Sequence, residues 1–76
     1  MADKITVYTT EYCPYCHSAI AFLKSKKLTF KQIDVTDDDV LREKLVKMTG
    51  RETVPQIFIN GKSLGGYEDL LKHYGR

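Results

Sequence analysis

Ile5 and Val7 alternate with polar neighbours from Lys4 to Thr9, a half-buried pattern that predicts a first strand. Cys16, Ala19, Ile20 and Leu23 then recur at the i, i+3, i+4, i+7 spacing of an amphipathic helix, expected from Pro14 to about Lys26. Pro14 suits a first helical position, where a missing N–H costs nothing, and Lys24, Lys26 and Lys27 suit the negative end of the helix dipole. Phe30, Ile33 and Val35 mark a second strand over Thr29–Val35. Leu41, Leu45 and Met48 mark a second helix from Val40 to about Thr49, with Asp37, Asp38 and Asp39 at its start and Gly50 as its stop. Gln56–Ile59 reads as a third strand, with Tyr8 and Phe58 expected in the core. Asn60-Gly61 is a hairpin turn, Lys62–Leu64 a short edge strand, and Gly65-Gly66 a break before a last helix over Tyr67–Tyr74. The order β-α-β-α-β-β-α predicts an α/β fold: a four-stranded mixed sheet flanked by helices.

With 76 residues and 42% hydrophobic content, the chain is expected to form one domain over 1–76 with an ordinary core. Net charge is +2 with acids and bases interspersed, which gives no footprint for nucleic acid. No run reaches the length of a membrane span, and Met1-Ala2-Asp3-Lys4 does not read as a signal peptide, so a reducing cytoplasm is the expected compartment.

The two cysteines, Cys13 and Cys16, stand two residues apart where the first strand meets the first helix. A bond between them closes too small a loop to stabilise the fold, so the pair is available for chemistry. A helix N-terminus favours negative charge, and Cys13 at that cap faces the free N–H groups of Tyr15 and Cys16. Cys13 is therefore expected to be the exposed nucleophile, and Cys16, on the apolar stripe, the resolving thiol. Thr53-Val54-Pro55 precedes the third strand; a cis Pro55 there would turn the backbone of Val54 toward an extended thiol peptide. Gly66, Tyr67, Glu68 and Asp69 open the last helix with N–H groups for a carboxylate and two acids for an ammonium. Tyr12 and Tyr67 flank the proposed turns and are candidates for a groove rim.

Cys-Pro-Tyr-Cys at 13–16, Thr-Val-Pro at 53–55, Gln-Ile-Phe-Ile-Asn-Gly at 56–61 and Gly-Gly-Tyr-Glu-Asp-Leu at 65–70 together resemble the short bacterial dithiol glutaredoxins, over nearly the whole chain. The resemblance implies a thioredoxin-like fold and glutathione-dependent reduction of protein disulfides and glutathione mixed disulfides. It implies that glutathione is held on Cys13, with its cysteinyl backbone on Val54 between Thr53 and Pro55. Its γ-glutamyl end would lie on Gly66, Tyr67, Glu68 and Asp69, and Tyr15 would wall the groove. It implies no bound cofactor and no metal, with glutathione as the reductant. The implied partners are disulfide-bearing or glutathionylated proteins, ribonucleotide reductase among them, and a monomer is expected. The chain departs from the family pattern in three places. Thr10 and Glu11 stand where a lysine is usual, Tyr67 where cysteine is common, and Glu68 where aspartate is. Arg51 is expected to supply the missing positive charge.

Three rival readings remain. Cys13–His17 also matches the Cys-x-x-Cys-His pattern of haem attachment, which would need export and a distal ligand such as Met48 or His73. A zinc module wants four ligands and finds two cysteines and His17, which reads equally as an exposed helix residue; an iron–sulfur site shared between subunits is disfavoured by Pro14. A glutaredoxin-like electron donor reduced by thioredoxin reductase, rather than by glutathione, is the alternative within the same chemistry.

Overall fold

A computed structural model describes residues 3–75. The strands are β1 (Ile5–Thr9), β2 (Phe30–Asp34), β3 (Gln56–Ile59) and β4 (Lys62–Gly65). The helices are α1 (Pro14–Ser25), α2 (Asp39–Thr49) and α3 (Tyr67–Tyr74). The sheet order is β2-β1-β3-β4, with β1 parallel to β2 and antiparallel to β3, and β3 antiparallel to β4. This is the expected element order, with no boundary shifted by more than one residue. Val35 lies just past β2, yet its N–H still donates to the Thr9 carbonyl at 2.8 Å.

Side chains alternate across a strand, and that parity divides the core. Ile5, Val7 and Ile57 point to one face and pack with Ala19 and Leu23 of α1 and Leu70 of α3. Phe58 points to the other face with Val35 and with Leu45 of α2; Tyr8, Ile33, Leu41 and Val54 pack around them. Tyr8 meets the Phe58 ring edge-on at 5.5 Å. Met48 departs from its expected stripe: it is 56% exposed, and α2 reaches the core through Leu45 and half-buried Leu41 alone. At the α2 N-terminus, Asp38 accepts the Leu41 N–H at 3.0 Å, and Gly50 closes the other end by donating to Val46 O at 2.7 Å.

Two turns set the site. The hairpin between β3 and β4 takes Asn60 and Gly61 through φ 53° and 83°, the paired left-handed residues of a two-residue loop. At the top of β1, the Glu11 N–H donates to Thr36 Oγ1 at 2.8 Å, tying the segment before α1 to the segment after β2. No helix among the described residues is long and apolar enough to cross a membrane.

Candidate functional site

Cys13 is the N-cap of α1, in extended backbone conformation, with Pro14 at the first helical position. An α-helix leaves its first N–H groups without intrahelical partners. One of these, the Cys16 N–H, donates to Cys13 Sγ at 3.1 Å. The Cys13 thiol in turn donates to Val54 O at 3.4 Å. The sulfur thus sits between a helix N-terminus and the loop before β3. That contact also corrects the expectation of an exposed Cys13: with the Val54 loop against it, the residue is only 8% exposed. Cys16, on the stripe facing the sheet, is 2% exposed. Burial pushes its thiol up to about 12, and the hydrogen bond with Cys13 adds to the rise.

Beside this pair runs a groove of about 340 Å³, lined by Tyr15, Arg51, Thr53, Val54, Pro55, Gly66, Tyr67, Glu68 and Asp69. The structure therefore brings the residues singled out above from segments 53–55 and 66–69 together around one cavity, with Tyr15 and Arg51. The Val54–Pro55 peptide is cis. Tyr15, 64% exposed, tilts against Tyr67 with ring centroids 6.2 Å apart. Tyr12 is 83% exposed and does not line the groove, because it lies in the turn ahead of α1.

The α3 end of the groove is electrostatically organised. Asp69 Oδ2 accepts the Gly66 N–H at 3.0 Å and meets an Arg51 guanidinium nitrogen at 3.4 Å. The Gly66 N–H, and after it Arg51, hold the Asp69 carboxyl below its ordinary value. Gly65, at φ 129°, stands where a Cβ would collide with the Asp69 carboxylate, so this approach requires glycine. Arg51 lines the groove, and its guanidinium lies against Asp69 at the α3 end.

Two residues escaped the sequence reading. Gln56 is 3% exposed although it opens an apolar strand; its Nε2 donates to Arg51 O at 2.9 Å, and its Oε1 has no partner. A polar side chain within a run that reads as core was the available signal. A second cleft, of about 180 Å³, shares Val54 with the groove and is lined by Gln56 with Arg42, Glu43 and Glu52, which makes Arg42 the other residue the sequence reading did not single out. Among the described residues, no three His, Cys, Asp or Glu side chains converge as a metal ion would require.

A buried thiol beside a capping thiol, at the strand-to-helix junction of a mixed sheet and hydrogen-bonded to the Val54 wall of a peptide-sized groove, fits a thiol–disulfide oxidoreductase. The chain belongs to the glutaredoxin family, which is glutathione-dependent: the glutaredoxin family model matches residues 5–64. It is 46% identical over 66 residues to glutaredoxin 3 of Escherichia coli (strain K12), covering 87% of this chain and 80% of that one. It is 37% identical over 73 residues to glutaredoxin-1 of Gallus gallus, covering 92% and 72%. Its fold matches a buckwheat glutaredoxin–glutathione complex with a TM-score of 0.89 at 25% identity, over 96% of this chain and 69% of that one. It also matches the solution structure of a Brucella melitensis glutaredoxin with a TM-score of 0.80 at 40% identity, over 99% and 83%.

Proposed function

We propose that this chain, acting as one domain, reduces glutathione mixed disulfides and protein disulfides with Cys13 as nucleophile and Cys16 as resolving thiol. The observation that carries this reading is the position of the Cys13 sulfur, between the Cys16 N–H and the Val54 carbonyl, at the edge of the groove. A negative sulfur is favoured by a helix N–H, and Val54 offers main-chain polar groups to an extended peptide bonded to that sulfur. Relatedness to a protein solved as a glutathione complex supports glutathione as that peptide.

The cycle balances as follows. The Cys13 thiolate attacks the glutathionyl sulfur of a mixed disulfide; the old S–S bond breaks, and the protein thiol leaves with a proton from solvent. A second glutathione thiolate then attacks the glutathionyl sulfur on Cys13, releasing oxidised glutathione and restoring the Cys13 thiolate. With a protein disulfide, the Cys13 thiolate attacks one of its sulfurs; the protein S–S bond breaks, one protein thiol leaves with a proton from solvent, and the other stays on Cys13 as a mixed disulfide. Cys16 then attacks the Cys13 sulfur, its proton passing to the departing protein thiolate. The resulting Cys13–Cys16 disulfide is reduced by two glutathione molecules.

In the groove, the cysteinyl backbone pairs with Val54 between Thr53 and Pro55. The γ-glutamyl end meets Gly66, Tyr67, Glu68, Asp69 and Arg51, and Tyr15 forms the wall. That end carries a carboxylate and an ammonium on one carbon, which suits a site holding both Arg51 and acids. The setting we propose is the cytoplasm. The protein acts there as a monomer on glutathionylated and disulfide-bearing proteins, ribonucleotide reductase among them, and carries no resident cofactor.

The test is turnover of a glutathione mixed disulfide with NADPH, glutathione reductase and reduced glutathione. Rapid turnover that vanishes in Cys13→Ser is expected. No turnover by the wild-type chain with both thiols intact would overturn the glutathione reading. Reduction by NADPH and thioredoxin reductase alone would then make the chain an electron donor of that second kind.

A further inference from the structure

Arg51 carries the groove's cation, yet it follows the end of α2 in a loop and its side chain is 55% exposed. The reach of a long side chain in such a setting depends on where its backbone is held, because that fixes the origin from which its rotamers extend. Here both backbone polar groups of Arg51 are held. Its N–H donates to Thr49 Oγ1 at 3.1 Å, and its carbonyl accepts from Gln56 Nε2 at 2.9 Å. Thr49 spends its own hydroxyl proton on Leu45 O at 2.8 Å, which leaves its oxygen free to receive the Arg51 N–H. Gln56 is the firmer half of this clamp, because it is 3% exposed and its backbone pairs with Tyr8 in the sheet.

Gln56 lines the second cleft, yet only its Nε2 finds a partner within the protein. Ile57 and Phe58 beside it are apolar and buried, and the Gln56 Oε1 is left buried without a partner. Desolvating a polar atom in this way is unfavourable. What the side chain achieves is the fixed carbonyl of Arg51, and with it the placement of the guanidinium 3.4 Å from Asp69.

We infer that Gln56 is a positioning residue for substrate: acting through Arg51, it sets the groove's affinity for the γ-glutamyl end of glutathione and leaves the thiol chemistry untouched. This rests on the glutathione reading given above. Gln56 itself reaches the loop backbone and is not among the residues lining the groove.

The test is a double-mutant cycle of Gln56→Met and Arg51→Met, read by steady-state kinetics on a glutathione mixed disulfide and by the alkylation rate of Cys13 with iodoacetamide. Gln56→Met keeps the length of the side chain and removes the donor. It is expected to raise KM for the glutathionylated substrate roughly three- to tenfold, the size of one neutral hydrogen bond. The kcat and the alkylation rate should stay within about twofold, and the effect should disappear in the Arg51→Met background, where the positioned group is already gone. An unchanged KM, a fall in kcat at constant KM, or an equal loss in the Arg51→Met background would each overturn the inference. If Gln56→Met does not melt cooperatively, Thr49→Val removes the other half of the clamp and must raise KM in the same Arg51-dependent way; a folded Thr49→Val with wild-type KM overturns it equally. Absence of wild-type turnover would defeat the glutathione reading itself, so the two failures are told apart.

Discussion

Cys13 and Cys16 are chemically the same group in different surroundings. The Cys13 sulfur receives a helix N–H and lies at the groove's edge; the Cys16 sulfur is buried against the sheet, and its thiol is pushed up to about 12. At neutral pH Cys16 therefore stays protonated and is a poor competitor for the first attack. It becomes useful only when a disulfide has formed on Cys13, a short span away, and a leaving thiolate is at hand to take its proton. Cys16→Ser should accordingly keep the reduction of glutathione mixed disulfides and lose the reduction of protein disulfides, each assayed with the same glutathione reductase coupling. Loss of both activities would show that Cys16 does more than resolve. The order of the two thiols was legible, because apolar periodicity puts Cys16 on the inner stripe and Pro14 puts Cys13 at the cap. The near-burial of Cys13 was not, because it depends on a carbonyl 41 residues away in sequence. Gln56 was hidden for a related reason: its partner is a loop carbonyl, which no strand pattern reveals.

The N-terminus of α3 works as a unit. Gly65 leaves room for the Asp69 carboxylate, Asp69 takes the Gly66 N–H, and Arg51 closes over the same oxygen. The motif Gly-Gly-Tyr-Glu-Asp made this turn readable, but its link to Arg51 spans 18 residues and two elements and appears only in the fold. A pH dependence follows. The Asp69 carboxyl lies below its ordinary value of 3.8 because the Gly66 N–H and Arg51 favour the anion. In acid, the unfolded chain then takes up this proton before the folded chain does. The Asp69 contribution to stability is thus fully present above about pH 4 and is lost as pH falls through the lower, folded value. Asp3 and Asp34 are lowered as well, by Tyr74 and by Thr36 respectively, so the whole acid limb belongs to several groups. Asp69→Asn should flatten part of it. Urea unfolding at pH 5 and pH 3 should show a smaller loss of stability for Asp69→Asn than for the wild type. An identical loss would mean that the Gly66–Asp69 contact is no stronger for the anion than for the acid.

Across the whole molecule the two layers that cover the sheet are unequal. One face is closed by α1 and α3 through Ala19, Leu23 and Leu70, all fully buried. The other is closed by α2 alone, through Leu45, with Leu41 half-buried, Val40 79% exposed and Met48 56% exposed. Element order and the two faces were legible from strand parity and helix spacing. The thinness of the second layer was not, because an i, i+4, i+7 stripe states which residues share a face and not how far the partner surface extends beneath them. An 11-residue helix holds little structure by itself, and its stability comes from what it buries. Leu45 therefore carries most of the docking of α2, and truncating such a residue to alanine typically costs about 2–5 kcal/mol. With so small a contact, α2 should open locally before the sheet does. Amide hydrogen exchange should find less protection in α2 than in α1 or β1, despite sound caps at both of its ends. The consequence reaches the site, because Arg51 follows directly on α2 and Val54 packs in the same layer. A ligand that binds only the assembled groove must suppress that opening by mass action. Exchange in α2 should then slow in saturating oxidised glutathione in a variant lacking Cys16, where the Cys13 thiolate displaces one glutathione and holds the other as a mixed disulfide. Protection in α2 that already equals that of β1 would show instead that the layer opens only with the rest of the fold.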